Sequence, residues 1–231
     1  MVLLFSEFTN LQKKRINEQL QKTIRIAFHH LKNDEVMDYL IKNLGSKLDW
    51  SNRYSDDYAL SISNLIIEQQ ISFRAAITIK KRYQNLVKNL DYNQILNLEN
   101  EKIQKIGLSF RKVEYIKNTY KFFLKNSIKF ENLSNDEVNN ELTKIKGIGE
   151  WTVQMFLIFN FFRQDIFSKK DLALLNSIKK NYFVEDLTSK RLDYFIKKWK
   201  PFNSIASLLL WESVERGVFF KKKLKNSKKT V

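Results

Sequence analysis

The chain of 231 residues contains no cysteine, one proline, five glycines and two histidines. Without cysteine there can be no disulfide, no thiolate metal site and no cysteine-ligated iron–sulfur cluster. Two adjacent histidines, His29 and His30, argue against a histidine-based metal centre. So little glycine and proline leaves few sharp turns and predicts a mostly helical protein. Long hydrophobic runs are also absent. The longest, Met155 to Phe162, is interrupted by Asn160 and falls far short of the ~20 residues of a spanning helix. No segment reads as a signal peptide.

What the chain does have is charge. Lysine and arginine outnumber aspartate and glutamate by 41 to 25, a formal net charge of +16. The tail from Lys221 to Lys229 holds six lysines and no acid, yet the rest of the chain is still strongly basic. Binding to a polyanion is the natural reading. A lysine-rich proteome that uses lysine for solubility is its bland competitor. At 43% hydrophobic residues the chain has enough apolar material for a real core.

Periodicity places the elements. Residues 1–30 stay unassigned: Met1–Phe8 and Ile24–Phe28 suit strands or helix edges, and Asn10–Gln21 has helical composition. Asn33 is the expected cap of a helix carrying Val36, Met37, Leu40 and Ile41 and ending near Gly45. Ser55–Leu86 reads as two helical runs broken by the polar patch Glu68-Gln69-Gln70-Ile71-Ser72. Phe110–Leu124 is an aromatic, lysine-rich helix. Ser134 with Glu137 forms a capping box. Glu150–Phe161, Leu172–Ile178 and Leu192–Trp199 follow, and Pro201 opens a last helix through Trp211. The expectation is an all-α body of nine or ten helices. Residues 31–220 would form its core, two helical lobes meeting at a cleft, and 221–231 a basic arm.

The most informative segment is residues 142–171. Ile145-Lys146-Gly147-Ile148-Gly149 lies between two helical patterns, and its glycines allow a tight reversal with the backbone open to a phosphate. The helix that follows begins with N–H groups that have no partner inside it, which suits an anion. Lys146 adds charge. Asp171 lies twenty positions beyond Trp151. A capping box with Ser168 would explain this aspartate structurally. So would the first turn of a helix.

This segment resembles the helix-hairpin-helix DNA glycosylase superfamily, in particular its alkylpurine (3-methyladenine type) branch. Three other stretches are similar to that family in the same order: Leu65–Ile79, Gly107–Ile116 and Pro201–Trp211. The resemblance covers roughly residues 30–215. The β-rich N-terminal domain of some members has no counterpart in the 30 residues before it.

The resemblance implies an all-α, two-lobed glycosylase acting on damaged bases in duplex DNA. Asp171 would be catalytic: cleaving an N-glycosidic bond develops cationic charge on the sugar, which a carboxylate stabilises while directing water. Trp151, Trp211 and Met155 would line the base pocket, where indole faces attract a cationic alkylated purine. Lys146, Gly147, Ile148 and Gly149 would grip the DNA backbone. Gln69 and Gln70 would fill the gap left by the flipped base.

Members that also cut the strand carry a Schiff-base lysine where Trp151 stands, so the implied enzyme is monofunctional, with water as nucleophile and no lyase activity. Lys169 and Lys170 stand where many members have proline or another aspartate. A monovalent cation on the carbonyls of Thr143, Ile145 and Ile148 is a candidate. No organic cofactor is implied. The expected protein is a monomer inside the cell, with the DNA and away from membranes. Two alternatives stay open. One is a glycosylase for hypoxanthine, uracil or an oxidised purine. The other is a non-catalytic protein that binds damaged DNA.

Overall fold

A computed structural model describes residues 2–221, with side chains described from Ile16 onward. Among the described residues there are twelve α-helices, two short 3-10 turns and no strand. The basic arm from Lys222 onward lies outside them. No helix among them is long and apolar enough to cross a membrane. The chain divides into two compact units, one made of the chain up to Ser51 and from Gln164 onward, the other of Asn52–Arg163.

The first unit opens with α1 (Val2–Leu31) and α2 (Glu35–Leu44). No glycine or proline interrupts residues 2–31, so one helix runs where the sequence left strand and helix open. Asp34, not Asn33, caps α2, accepting from the N–H groups of Val36 and Met37 at 2.9 and 3.2 Å. Asp34 has the extended backbone of an N-cap, from which its carboxylate reaches these donors. The Asn33 side chain instead donates to the His30 carbonyl.

The second unit contains α3 (Tyr58–Glu68), α4 (Phe73–Val87), α5 (Tyr92–Asn97), α6 (Asn100–Gln104), α7 (Phe110–Lys125), α8 (Asn135–Leu142) and α9 (Glu150–Asn160). Its central helix is α3, with seven of its eleven residues buried, and it packs on α4, α7 and α9. A helix apolar on all sides belongs inside. Asp57 caps α3 and Ser72 caps α4, so the polar patch 68–72 is the connection between them. The predicted capping box of α8 is present, Ser134 receiving the Glu137 N–H and Glu137 reaching back to the Ser134 N–H.

The chain then returns to the first unit with α10 (Leu172–Tyr182), α11 (Ser189–Trp199) and α12 (Asn203–Arg216). The last helix starts two residues after Pro201. Here α12 is central, packing on α2 and α10 through fully buried Ile205, Ala206, Leu209 and Leu210. Buried small residues let the helices approach closely, as where Ser177 of α10 donates its Oγ–H to the Leu210 carbonyl of α12 at 2.8 Å. Phe183 ends α10 in the left-handed region, φ 54°, a place usually given to glycine.

Candidate active site

In the first unit, Asp171 is the N-cap of α10 and is only 9% exposed. Its Oδ1 accepts from the Leu174 N–H at 2.9 Å and from the Trp211 indole Nε1–H at 3.3 Å. Two donors on one oxygen fix the plane of the carboxylate, and the positive end of the helix dipole lies behind it. The capping box expected at Ser168 is therefore corrected. Asp171 is itself the cap, and Ser168 belongs to the preceding turn, its carbonyl accepting the Asp171 N–H at 3.2 Å. Beside it, Lys169 is exposed and pairs with Asp193 at 2.7 Å.

Trp211, expected to line a base pocket, directs its indole N–H at Asp171. Leu172, the residue after Asp171, is 73% exposed, and nothing in the sequence singled it out.

In the second unit, α8, the turn Thr143–Gly149 and α9 form the hairpin. The Ile148 N–H closes it on the Ile145 carbonyl at 3.0 Å. Gly147 has φ +101°, and a Cβ there would stand 2.1 Å from the Tyr115 ring, so this residue lies flat beneath an aromatic wall. Gly149 caps α9 without a side chain and faces open space, with nothing within 4 Å of where a Cβ would be. The two glycines thus do different work: Gly147 shapes the turn, and Gly149 leaves the helix terminus open.

Lys146 is exposed and pairs with Glu114 at 2.8 Å. That hydrogen bond and the charge of Glu114 raise its pKa. Ile148 and Ile145 are buried, so they serve the turn through their backbones. Trp151, second residue of α9, is half-buried. Met155 is 1% exposed and offers no open surface to a base, contrary to its expected place in a pocket wall.

The two glutamines separate. Gln69 donates its side-chain amide to the Gly147 carbonyl at 3.2 Å and to Thr152 Oγ1 at 3.0 Å. Its amide donors are turned toward the hairpin. Gln70 is exposed, in the left-handed region at φ 56°. Lys112, Glu114 and Tyr115 of α7 were missed as site residues. Each lies within the Gly107–Ile116 stretch, but nothing in its spacing tells which loop it meets.

Among the described residues no group of three or more histidine, cysteine, aspartate or glutamate side chains could hold a metal ion. The second unit also has a cavity of about 260 Å³ lined by Arg53, Tyr54, Asn64, Glu68, Lys80 and Phe159 among others. Glu68 is paired there with Arg53 at 3.1 Å and with Lys80.

A glycine hairpin opening onto a bare helix terminus, in an all-helical chain with an ordered carboxylate at a helix cap, defines the helix-hairpin-helix class. The chain belongs to the HhH-GPD superfamily of base excision DNA repair proteins, whose family model matches residues 64–201. It is 27% identical over 207 residues to DNA-3-methyladenine glycosylase 1 of Schizosaccharomyces pombe, spanning 85% of this chain and 90% of that protein. It is 30% identical over 170 residues to YfjP of Bacillus subtilis, 65% of this chain but 56% of that protein's length. Among solved structures it resembles the S. pombe 3-methyladenine DNA glycosylase Mag1 in complex with abasic DNA. The TM-score there is 0.76 at 27% identity, covering 82% of this chain and 96% of that one.

Proposed function

We propose that this chain is a monofunctional DNA glycosylase that hydrolyses the N-glycosidic bond of alkylated purines, of the 3-methyladenine and 7-methylguanine kind, in duplex DNA. The observation that carries the reading is the state of Asp171: a nearly buried carboxylate, held by a backbone N–H and an indole N–H at a helix start. The names of the relatives supply the substrate class.

In the proposed reaction the bond between C1′ and the purine nitrogen breaks, its electron pair leaving with the base. Alkylation has already made the purine cationic, so departure needs no general acid. Asp171 stabilises the positive charge left on the sugar, in a site where solvent screening is weak. Water then attacks C1′ and gives up its proton to the Asp171 carboxylate, and an abasic site remains. Trp151 places an indole, not an amine, at the hairpin, which favours water as nucleophile.

The hairpin takes a DNA phosphate at Gly149 and the first turn of α9, with Lys146 contributing charge. Gln70 fills the gap in the base stack. Trp151 stacks on the extruded base. A monovalent cation on the carbonyls of Thr143, Ile145 and Ile148 belongs to the same proposal. Carbonyl oxygens suit a hard cation, and Ile145 keeps a second lone pair beside the one given to Ile148. The protein is proposed to act as a monomer, inside the cell where the DNA is.

The experiment is release of free purines from methylated duplex DNA, followed chromatographically for the wild type and Asp171→Asn. The expected result is release of methylated purines by the wild type, with strand breaks only after alkali. Asp171→Asn should lose release by a factor on the order of 10²–10³ while still binding DNA. Equal release by the variant would remove Asp171 from the chemistry.

A further inference from the structure

The connection between α3 and α4 is held by two side chains that the reaction does not use. Lys112, on α7, is partly buried, and its ammonium donates to the Ile67 and Gln69 carbonyls at 2.8 Å each. These carbonyls belong to the last turn of α3, where no intrahelical donor remains. Gln69 points the other way, its amide donating to the Gly147 carbonyl and to Thr152 Oγ1. Gly147 in turn lies under the ring of Tyr115, three residues along α7 from Lys112. One helix, α7, thus braces both the α3–α4 connection and the hairpin, and Gln69 ties the two together. Gln70 follows directly, exposed and in the left-handed region. For a residue with a Cβ that conformation costs about 1 kcal/mol or more, and it persists only where its neighbours hold it.

We propose that Gln69 and Lys112 are positioning residues that lock Gln70 at a set distance from the hairpin, so that gripping the backbone and filling the gap are one rigid action. The inference rests on Gln70 as the gap-filling residue. Neither side chain needs to touch DNA. What they supply is stiffness: a loose loop would let Gln70 swing away and the extruded base return to the stack. Unpairing and unstacking a base costs a few kcal/mol, and less where its partner is already absent. The clamp therefore matters when the lesion is paired and matters little when it is not.

The test compares Gln69→Met, which keeps the length of the side chain and removes its donors, with Lys112→Met and Lys112→Arg. Single-turnover purine release is measured on a methylated duplex and on the same strand with an abasic gap opposite the lesion. The expected result is a loss on the order of tenfold for Gln69→Met and Lys112→Met on the paired duplex. On the gapped duplex the loss should be less than twofold. Lys112→Arg, which still has donors for both carbonyls, should recover most of the rate. Equal losses on the two substrates would mean a general structural role and overturn the proposal, as would no loss on either.

If the wild type releases no purine from either DNA, the proposed substrate is wrong, and fluorescence still decides the clamp. A duplex with 2-aminopurine stacked beside an abasic-site analogue should brighten when the wild type binds, and clearly less with Gln69→Met. Equal brightening would overturn the clamp.

Discussion

Replacing each hairpin glycine with alanine should produce two opposite phenotypes from positions two residues apart. At Gly147 the backbone has φ +101°, and the new Cβ would fall 2.1–2.5 Å from three atoms of the Tyr115 ring. The conformation alone costs a side chain about 1–3 kcal/mol, and forcing a methyl against a packed ring adds about 1–3 kcal/mol more. Gly147→Ala should therefore destabilise by roughly 2–6 kcal/mol, a large part of the 5–15 kcal/mol typical of a domain.

At Gly149, φ is −112° and nothing lies within 4 Å. Gly149→Ala should change stability by less than about 0.5 kcal/mol, yet place a methyl where the proposed phosphate would approach. Urea denaturation and DNA-binding titrations at fixed salt read the two effects separately. The Gly147→Ala/Tyr115→Ala double variant divides the first effect further, since removing the ring relieves the collision but not the backbone strain. Equal destabilisation by the two single variants would refute the division of labour. So would a Gly147→Ala protein as stable as wild type.

Three further outcomes are expected. Trp211→Phe keeps an aromatic ring but removes the N–H given to Asp171. A hydrogen bond to a charged group is worth about 1.5–3 kcal/mol, so kcat should fall roughly 10–100-fold with KM little changed in steady-state kinetics. Glu114→Gln frees Lys146 from its ion pair. Affinity for undamaged duplex should rise, and the slope of log K against log salt should steepen by about 0.9 if one more phosphate is neutralised.

Burial lowers the pKa of Lys112 from its ordinary 10.5. Between the lowered value and 10.5 the unfolded chain binds more protons than the folded one, so this lysine makes stability rise with pH in that window and disfavours the fold below it. Denaturation curves at stepped pH should show the wild type gaining on Lys112→Met as pH climbs toward 10.5.

Much of this protein could be read locally. Helices follow from periodicity and caps, and both are short-range: the Ser134–Glu137 box forms as its spacing predicts. The turn is legible too, because only glycine tolerates what Gly147 must do. Where local reading erred, another local candidate won, as Asp34 did over Asn33 at the start of α2. Residues 2–31 were unreadable because apolar and polar residues there fit more than one period, and one uninterrupted helix resolved them.

Sequence by itself determined the all-helical class and the hairpin, since both depend on residues a few positions apart, and its composition set the basic character, while Asp171 became the candidate carboxylate through the family resemblance. Tertiary structure alone decided what the side chains do. Gln69 and Gln70 are indistinguishable as neighbours in a polar patch. One becomes a tie to a carbonyl 78 residues away, and the other is left exposed. Trp211 is one more aromatic on an apolar helix until its N–H meets a carboxylate 40 residues earlier. A hydrogen bond is decided by tenths of an ångström between groups whose chain separation carries no information about their distance in the fold.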